Sequence, residues 1–336
     1  MPNPDHSSTS ENPTKISVAL CTFNGEKYLK EQLESIVKQS RPVDEIVVSD
    51  DGSTDRTLEI VKILAKANPQ ISWNILESKS SLGVTANFER AISNTTGNFI
   101  LLSDQDDIWR IDRVAVSMMA FERDPQTLLF HSDARLVDSQ GSAIGGTLFK
   151  AIGYSRKERG LVSRGKALTV LLRRNTVTGA TTAFKRELFE LAKPFPPSWV
   201  HDEWLTMFAA IFGRIESSLE CLIDYRQHDS NQIGAAAPTI SGRVQKLVES
   251  RSKRNARLLA RATDFANRIN SLGKDVSQEV HRLVAGKLEH EQFRIALPNS
   301  RFKRIIPIKF EALRGRYSRF GRARFDIPRD LLQPPD

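Results

Sequence analysis

Between Ile16 and Ser103 the apolar positions follow two alternating rhythms. Short apolar runs, Ile16 to Leu20 (ISVAL), Glu45 to Asp51 (EIVVSDD) and Phe99 to Ser103 (FILLS), have the length of strands buried on both faces. Between them apolar residues return every three or four positions, at Leu29, Leu33, Ile36 and Val37, then at Leu58, Val61, Leu64 and Ala65, the stripe of an amphipathic helix. The order β-α-β-α-β-α-β predicts a parallel, doubly wound α/β sheet whose strand ends share one edge. Open sheets of this kind bind ligands at that edge. Beyond Arg243 the spacing is helical, through Val244, Leu247 and Val248, then Leu258, Leu259, Ala262, Phe265 and Ile269, then Val280, Leu283, Val284 and Leu288.

Two strand ends are acidic. The run ending at Ser103 breaks into Asp104, Asp106 and Asp107, and the run before it ends in Asp50 and Asp51, followed by Gly52-Ser53-Thr54-Asp55. In extended backbone Asp104 and Asp106 point the same way. One or two carboxylates completed by substrate phosphates are a typical magnesium site, so the Asp-x-Asp reads as a metal clamp for a diphosphate; a solvated acidic loop is the plain alternative. Gly52 supplies turn freedom, Ser53 or Asp55 can cap the next helix, and Asp50 can equally cap loop amides.

The segments CTFNGEKYLKEQLESI, VVSDDGSTDRT, GVTANFERAI and LLSDQDDIW, in this order, resemble the inverting family-2 glycosyltransferases of the GT-A nucleotide-sugar fold. FHSD at Phe130 to Asp133, the Thr178 to Phe184 segment, HDEW at His201 to Trp204 and YRQH at Tyr225 to His228 are similar to its rhamnosyltransferase-like branch. The resemblance covers residues 15 to 235. It implies a mixed α/β sheet flanked by helices, with a nucleotide-binding half over 15–110 and an acceptor and catalytic half over 111–240; charge and spacing add a basic, mainly helical region over 241–336. Residues 1–14 are expected to form a disordered leader.

In that resemblance Asp106 is a direct ligand of Mn2+ or Mg2+, Asp104 orients the metal or the ribose, and His228 is a further metal ligand. Asp51 accepts a hydrogen bond from the nucleotide base. Thr22, Asn24 and Glu26 belong to the first loop around the nucleotide, and Asn87 to a donor-contacting helix start. An exposed helix-start Glu and an ordinary polar loop residue are the alternatives for Glu26 and Asn87. An inverting transfer needs one carboxylate base, which HDEW supplies as Asp202; the adjacent Glu203 stands about 100° away on a helix, so only one of the two faces the acceptor. The implied donor is a nucleotide sugar, with dTDP-rhamnose leading, and the implied acceptor a glycan or lipid-linked glycan of a bacterial surface polysaccharide. A nucleotide-sugar-binding scaffold without catalysis, and a receiver-like magnesium-binding signalling domain, are the competing classes. The second needs a lone phospho-accepting Asp and a later strand-end Lys, which the FILLSDQDD block does not provide.

Two cysteines without C-x-x-C spacing offer neither a disulfide framework nor a zinc knuckle, and a reducing cytosol is the expected compartment. No stretch reaches the roughly 18 apolar residues of a membrane span. Charge is uneven: residues 241–336 hold 22 Lys or Arg against 10 Asp or Glu, an excess of +12, while the whole chain is +9, leaving −3 for residues 1–240. Three explanations suit the basic region. It is a solvated face, it is drawn to an anionic membrane surface or lipid diphosphate, or, least favoured for want of any recognition motif, it binds nucleic acid. On the membrane explanation the chain sits on the inner face of the cytoplasmic membrane, and a chain ending near Leu297 still folds and binds donor.

Overall fold

The structure, a computed structural model, describes residues 14–228 and 251–334. The expected leader, all but Thr14, and the helical pattern at Val244 to Val248 lie outside the described residues. The first half runs β1 (Ile16–Thr22), α1 (Leu29–Val37), β2 (Glu45–Asp50), α2 (Thr57–Ala67), β3 (Ser72–Glu77), α3 (Val84–Ser93), β4 (Phe99–Ser103) and a short β5 (Ile108–Trp109). It continues through α4 (Arg113–Arg123), β6 (Thr127–Val137), β7 (Ala143–Thr147), α5 (Leu148–Ala151), α6 (Arg156–Val162), α7 (Ala167–Leu171), β8 (Thr182–Lys185), α8 (Arg186–Ala192), α9 (His201–Phe212) and β9 (Arg214–Arg226). The last described stretch is helical: α10 (Arg251–Leu272), α11 (Gln278–Ile295), α12 (Arg301–Leu313), α13 (Arg316–Phe320) and α14 (Ala323–Leu332).

The nine strands form one sheet in the order β3-β2-β1-β4-β8-β6-β9-β5, with β7 on β6. Pairing is parallel from β3 to β4, as the alternation requires, and turns antiparallel at β4–β8, so the parallel doubly wound expectation holds for the first four strands only. The remainder is a mixed sheet, as the family resemblance implied. A strand that follows several helices re-enters the sheet in either direction, and local periodicity carries no information on which.

Alternation sends successive side chains of each buried strand to opposite faces. Val18, Leu20, Ile46, Val48 and Leu101 meet α1, α2 and α4 in one apolar cluster. Ala19, Ile100, Leu102, Leu129 and Phe184 meet α3, α8 and α9 in the other. This second cluster extends into α10 and α11 through Phe265, Ile269 and Val284. The Phe265 ring lies 5.8 Å from Trp199 and 5.9 Å from Trp204. Arg268 donates to the Leu191 and Lys193 carbonyls.

Part of the basic charge is internal. Arg251, Arg254, Arg294 and Arg304 are buried. Asp330, fully buried, accepts from Arg254, from Arg294 Nε at 2.8 Å and from the Tyr317 hydroxyl at 2.9 Å. For these residues the solvated-face explanation is corrected: a buried guanidinium requires a carboxylate or carbonyls, which Asp330 of α14 supplies to Arg254 and Arg294, and backbone carbonyls after α11 and α14 supply to Arg251 and Arg304. The same contacts bear on a chain ending near Leu297. Such a chain lacks Asp330, Tyr317 and Phe320, leaving Arg254 without its carboxylate and Arg294 with Glu291 alone, and removing Phe320 from the apolar cluster. Among the described residues no helix is long and apolar enough to cross a membrane.

Candidate active site

The C-terminal ends of β1, β2 and β4 lie side by side, with Thr22 opposite Asp50 and Leu20 opposite Ser103. Loops leaving these ends border a cavity of about 560 Å³. Thr22 Oγ1 donates to Asp50 Oδ2 at 2.7 Å, and Asp50 Oδ1 accepts the Gly52 and Ser53 amides at 3.1 and 2.8 Å. Asp50 therefore fixes the loop, and Gly52, at φ 90°, provides the left-handed turn it closes on. Asp51 points the other way, into the cavity wall. Its carboxylate accepts from Ser81 Oγ, Leu82 N and Gly83 N at 2.7, 2.6 and 3.1 Å, joining the second loop to the start of α3. Asn24 accepts from Thr54 N at 2.9 Å, and Asn87 exchanges two hydrogen bonds with Ser49.

Thr22, Asn24, Asp51, Asn87, Asp104, Asp106, Asp202 and His228 all line this one cavity. Glu26 does not; its carboxylate accepts the Arg56 amide at 3.0 Å on the outer side of the loop. His131 and Asp133 of FHSD are also elsewhere, buried and bonded to Ser217 and to the Ala134 and Phe149 amides.

Asp104 and Asp106 sit in a bend after β4 rather than in extended strand. The intervening Gln105 turns back and exchanges hydrogen bonds of 2.8 and 3.0 Å with the Phe23 backbone, tying the first and third loops together. Asp106 Oδ2 and His228 Nε2 are 2.9 Å apart, bringing a loop after β4 against the residues that follow β9. Burial raises the Asp104 carboxyl to about 7, with the charges of Asp106 and Asp202 adding to the shift. Asp106 is raised by burial against the opposing effect of His228, and Asp107 well above the usual range by burial and its two acidic neighbours. Asp107 Oδ2 is buried with no hydrogen-bond partner among the described residues. No group of three or more metal-ligating side chains is assembled among those residues. A carboxylate and an imidazole in contact, inside an excess of buried negative charge, nevertheless form a donor set that fits Mn2+ or Mg2+ completed by phosphate oxygens.

Asp202 and Glu203 open α9, and the helix separates them as the 100° step requires. Asp202 Oδ2 accepts the Gly179 amide at 2.8 Å and Oδ1 the Glu203 amide at 2.6 Å. A Cβ on Gly179 would stand 2.9 Å from His201 Nε2, so only glycine lets this loop approach α9. Burial raises Asp202 to about 6, against the Gly179 amide and the charge of Arg261. Glu203 faces α10, where Arg261 holds it in an ion pair.

Three neighbouring residues received no role from the sequence. Arg226 donates through Nε to the Asp106 carbonyl at 2.8 Å and through Nη2 to Glu31 at 2.7 Å, bracing the acidic bend against α1. Arg113 is buried under the acidic group, its guanidinium 3.8 Å from the Trp109 ring centre, and shares a buried stripe of α4 with Ser117 and Phe121, which is the signal that was legible. His201 is buried and stacked on Phe88 at 3.8 Å; both ring nitrogens lack hydrogen-bond partners among the described residues, and burial lowers it to about 3. No spacing rule marks it.

Residues 17–159 match the family described as Glycosyl transferase family 2. The dTDP-rhamnosyl transferase RfbG of Shigella flexneri is 29% identical over 231 residues, covering 64% of this chain and 74% of that protein. Among solved structures, S. aureus TarS 1-349 in complex with UDP-GlcNAc superposes with a TM-score of 0.55 at 19% identity, covering 88% of this chain and 79% of that one. The mannosyltransferase PcManGT of Pyrobaculum calidifontis, in complex with GDP-Man and Mn2+, gives a TM-score of 0.51 at 20% identity, covering 89% and 75%. Those two likenesses establish the fold, a GT-A glycosyltransferase sheet with its helices. The sequence match over the strands that carry the acidic bend adds the activity class: this chain is a glycosyltransferase whose residues 17–159 match glycosyl transferase family 2.

Proposed function

We propose that this glycosyltransferase is metal-dependent and inverting, and that it moves a sugar from a nucleoside-diphosphate donor to a hydroxyl of a glycan or lipid-linked glycan in surface polysaccharide synthesis. The observation that carries this reading is that one cavity is lined both by Asp104, Asp106 and His228 and by Asp202. A diphosphate-holding group and a lone buried carboxylate base are the two parts an inverting transfer needs. Rhamnose from dTDP-rhamnose is the leading donor, supported by the similarity to the Shigella rhamnosyl transferase.

In this reading the 15–110 half holds the nucleotide, with Asp51 offering a carboxylate to the base and Thr22, Asn24 and Asn87 shaping the wall. The 111–240 half presents the acceptor to Asp202. The Gly179 and Glu203 amides hold the Asp202 carboxylate in one orientation, and it takes the proton of the acceptor hydroxyl as that oxygen bonds to the anomeric carbon. The bond from that carbon to the diphosphate breaks on the opposite face, inverting the centre. Mn2+ or Mg2+ held by Asp106 and His228, with Asp104 beside them, would supply Lewis-acid stabilisation of the leaving diphosphate.

Thermal shift with a panel of nucleotide sugars and Mn2+, followed by transfer assays with the stabilising donor, tests the reading. Selective binding raises the melting temperature with the logarithm of ligand excess over Kd. A panel in which no nucleotide sugar stabilises the protein would refute it.

A further inference from the structure

Helix α12 is inside out. Its inward side carries Arg304 and Glu311, both buried, with Ile308 between them. Arg304 donates to the Pro298, Asn299 and Gln333 carbonyls at 2.6, 2.6 and 2.9 Å, and Glu311 meets His290 Nδ1 at 2.9 Å. Its outward side carries Phe302, Ile305, Ile306, Phe310 and Leu313, exposed by 84, 52, 65, 59 and 74%. At 100° per residue these five cover an arc of about 140°. Lys309 lies within the arc and Arg301, Lys303 and Arg314 at its borders, all exposed.

A soluble surface does not expose five large apolar side chains on one helix without a use for them. We infer that α12 is a membrane-docking helix that lies in the plane of an anionic bilayer, its apolar arc among the acyl chains and its basic residues at the headgroups. The charge selects this occupant: a ring of cations around an apolar face matches a surface that is apolar below and anionic above, and a lysine within the arc reaches the headgroups along its own methylene stem. The inward polar anchors have a complementary role. They hold the helix to the protein through Arg304 and Glu311, so no apolar residue of the arc is needed for folding and all five are available to lipid. The inference rests on the exposed arc and is independent of the donor and metal proposed above.

Flotation of the full chain with vesicles tests it, with no transfer activity in the readout. The wild type is expected to float with phosphatidylglycerol-containing vesicles and far less with phosphatidylcholine alone, and to bind less between about 0.1 M and 1 M salt as the screening length shortens. Phe302→Ser with Ile306→Ser should reduce binding by about tenfold or more at an unchanged melting temperature, because neither side chain is packed. Lys303→Glu with Lys309→Glu should abolish the preference for anionic vesicles. Wild-type protein that stays unbound, or apolar-arc variants that bind like wild type, would overturn the inference. So would a dimer in sedimentation velocity that the serine variants convert to monomer without vesicle binding, which would assign the face to a second copy. Enhanced binding when residues 229–250 are deleted, with none in the full chain, would assign it to that segment and overturn it equally.

Discussion

The Glu203 carboxylate is ion-paired with Arg261, which comes from α10, while its chain neighbour Asp202 turns to the cavity and is held by the Gly179 amide. Consecutive acids on one helix thus have separate surroundings, and the proposed base is the one at the cavity. Asp202→Asn should keep donor binding, measured by thermal shift, and lower kcat by roughly 10² to 10⁴-fold, the usual range for loss of a general base. Glu203→Gln should keep most of the turnover. An inactive Glu203→Gln beside an active Asp202→Asn would reverse the assignment.

The acid limb of the pH profile should belong to Asp202. Its carboxyl is raised to about 6 by burial, and the ionised form is the base, so kcat/KM should climb as pH rises through about 6 and flatten above it. His201 would titrate in the same range if it were exposed, but burial lowers it to about 3 and keeps it neutral there. His201→Phe, which preserves the stack on Phe88, should therefore leave the midpoint in place. Movement of the midpoint in that variant would transfer the limb to the imidazole. Linkage has the opposite sign for stability: the raised carboxyl favours the fold when protonated, a contribution complete below its ordinary value of 3.8 and lost as pH rises through about 6.

Metal removal gives a third test. Excess EDTA should abolish transfer, and Mn2+ should raise the melting temperature of the wild type but not of Asp106→Asn, since a ligand bound only by the folded state stabilises it. Asp106→Asn is expected to fold, because it relieves one charge of a crowded acidic bend. Undiminished turnover in EDTA would remove the metal from the mechanism.

The C-terminal helices should prove inseparable from the catalytic part. Asp330→Asn leaves Arg254 and Arg294 buried without full compensation, and breaking such a group by removing one partner costs on the order of 3–5 kcal/mol. Urea denaturation should show the loss as a lower midpoint at constant m. A chain ending at Leu297 should fail to give a cooperative transition at all.

The β1 to β4 alternation, the acidic strand ends and the helical nature of the C-terminal region are legible in the order of residues alone. Each is written in local spacing: a period of two or of 3.6, and a change from apolar to acidic where a strand stops. The sequence also brought Thr22, Asn24, Asp51, Asn87, Asp104, Asp106, Asp202 and His228 forward as candidates through a resemblance to one family. Tertiary structure decided what these residues face. It placed eight of the nine on one cavity and turned Glu26 away, because a side chain's direction at a loop depends on which amide it caps, here that of Arg56. It gave Asp202 and Glu203 different partners by packing α10 against one side of α9. It also changed the meaning of the basic C-terminal region: four arginines that look solvated in a charge count are buried on Asp330 and backbone carbonyls, while Phe302, Ile305, Ile306, Phe310 and Leu313 of α12 face outward. Periodicity reports that a helix has two faces. Only the packing of the rest of the chain decides which of them is inside.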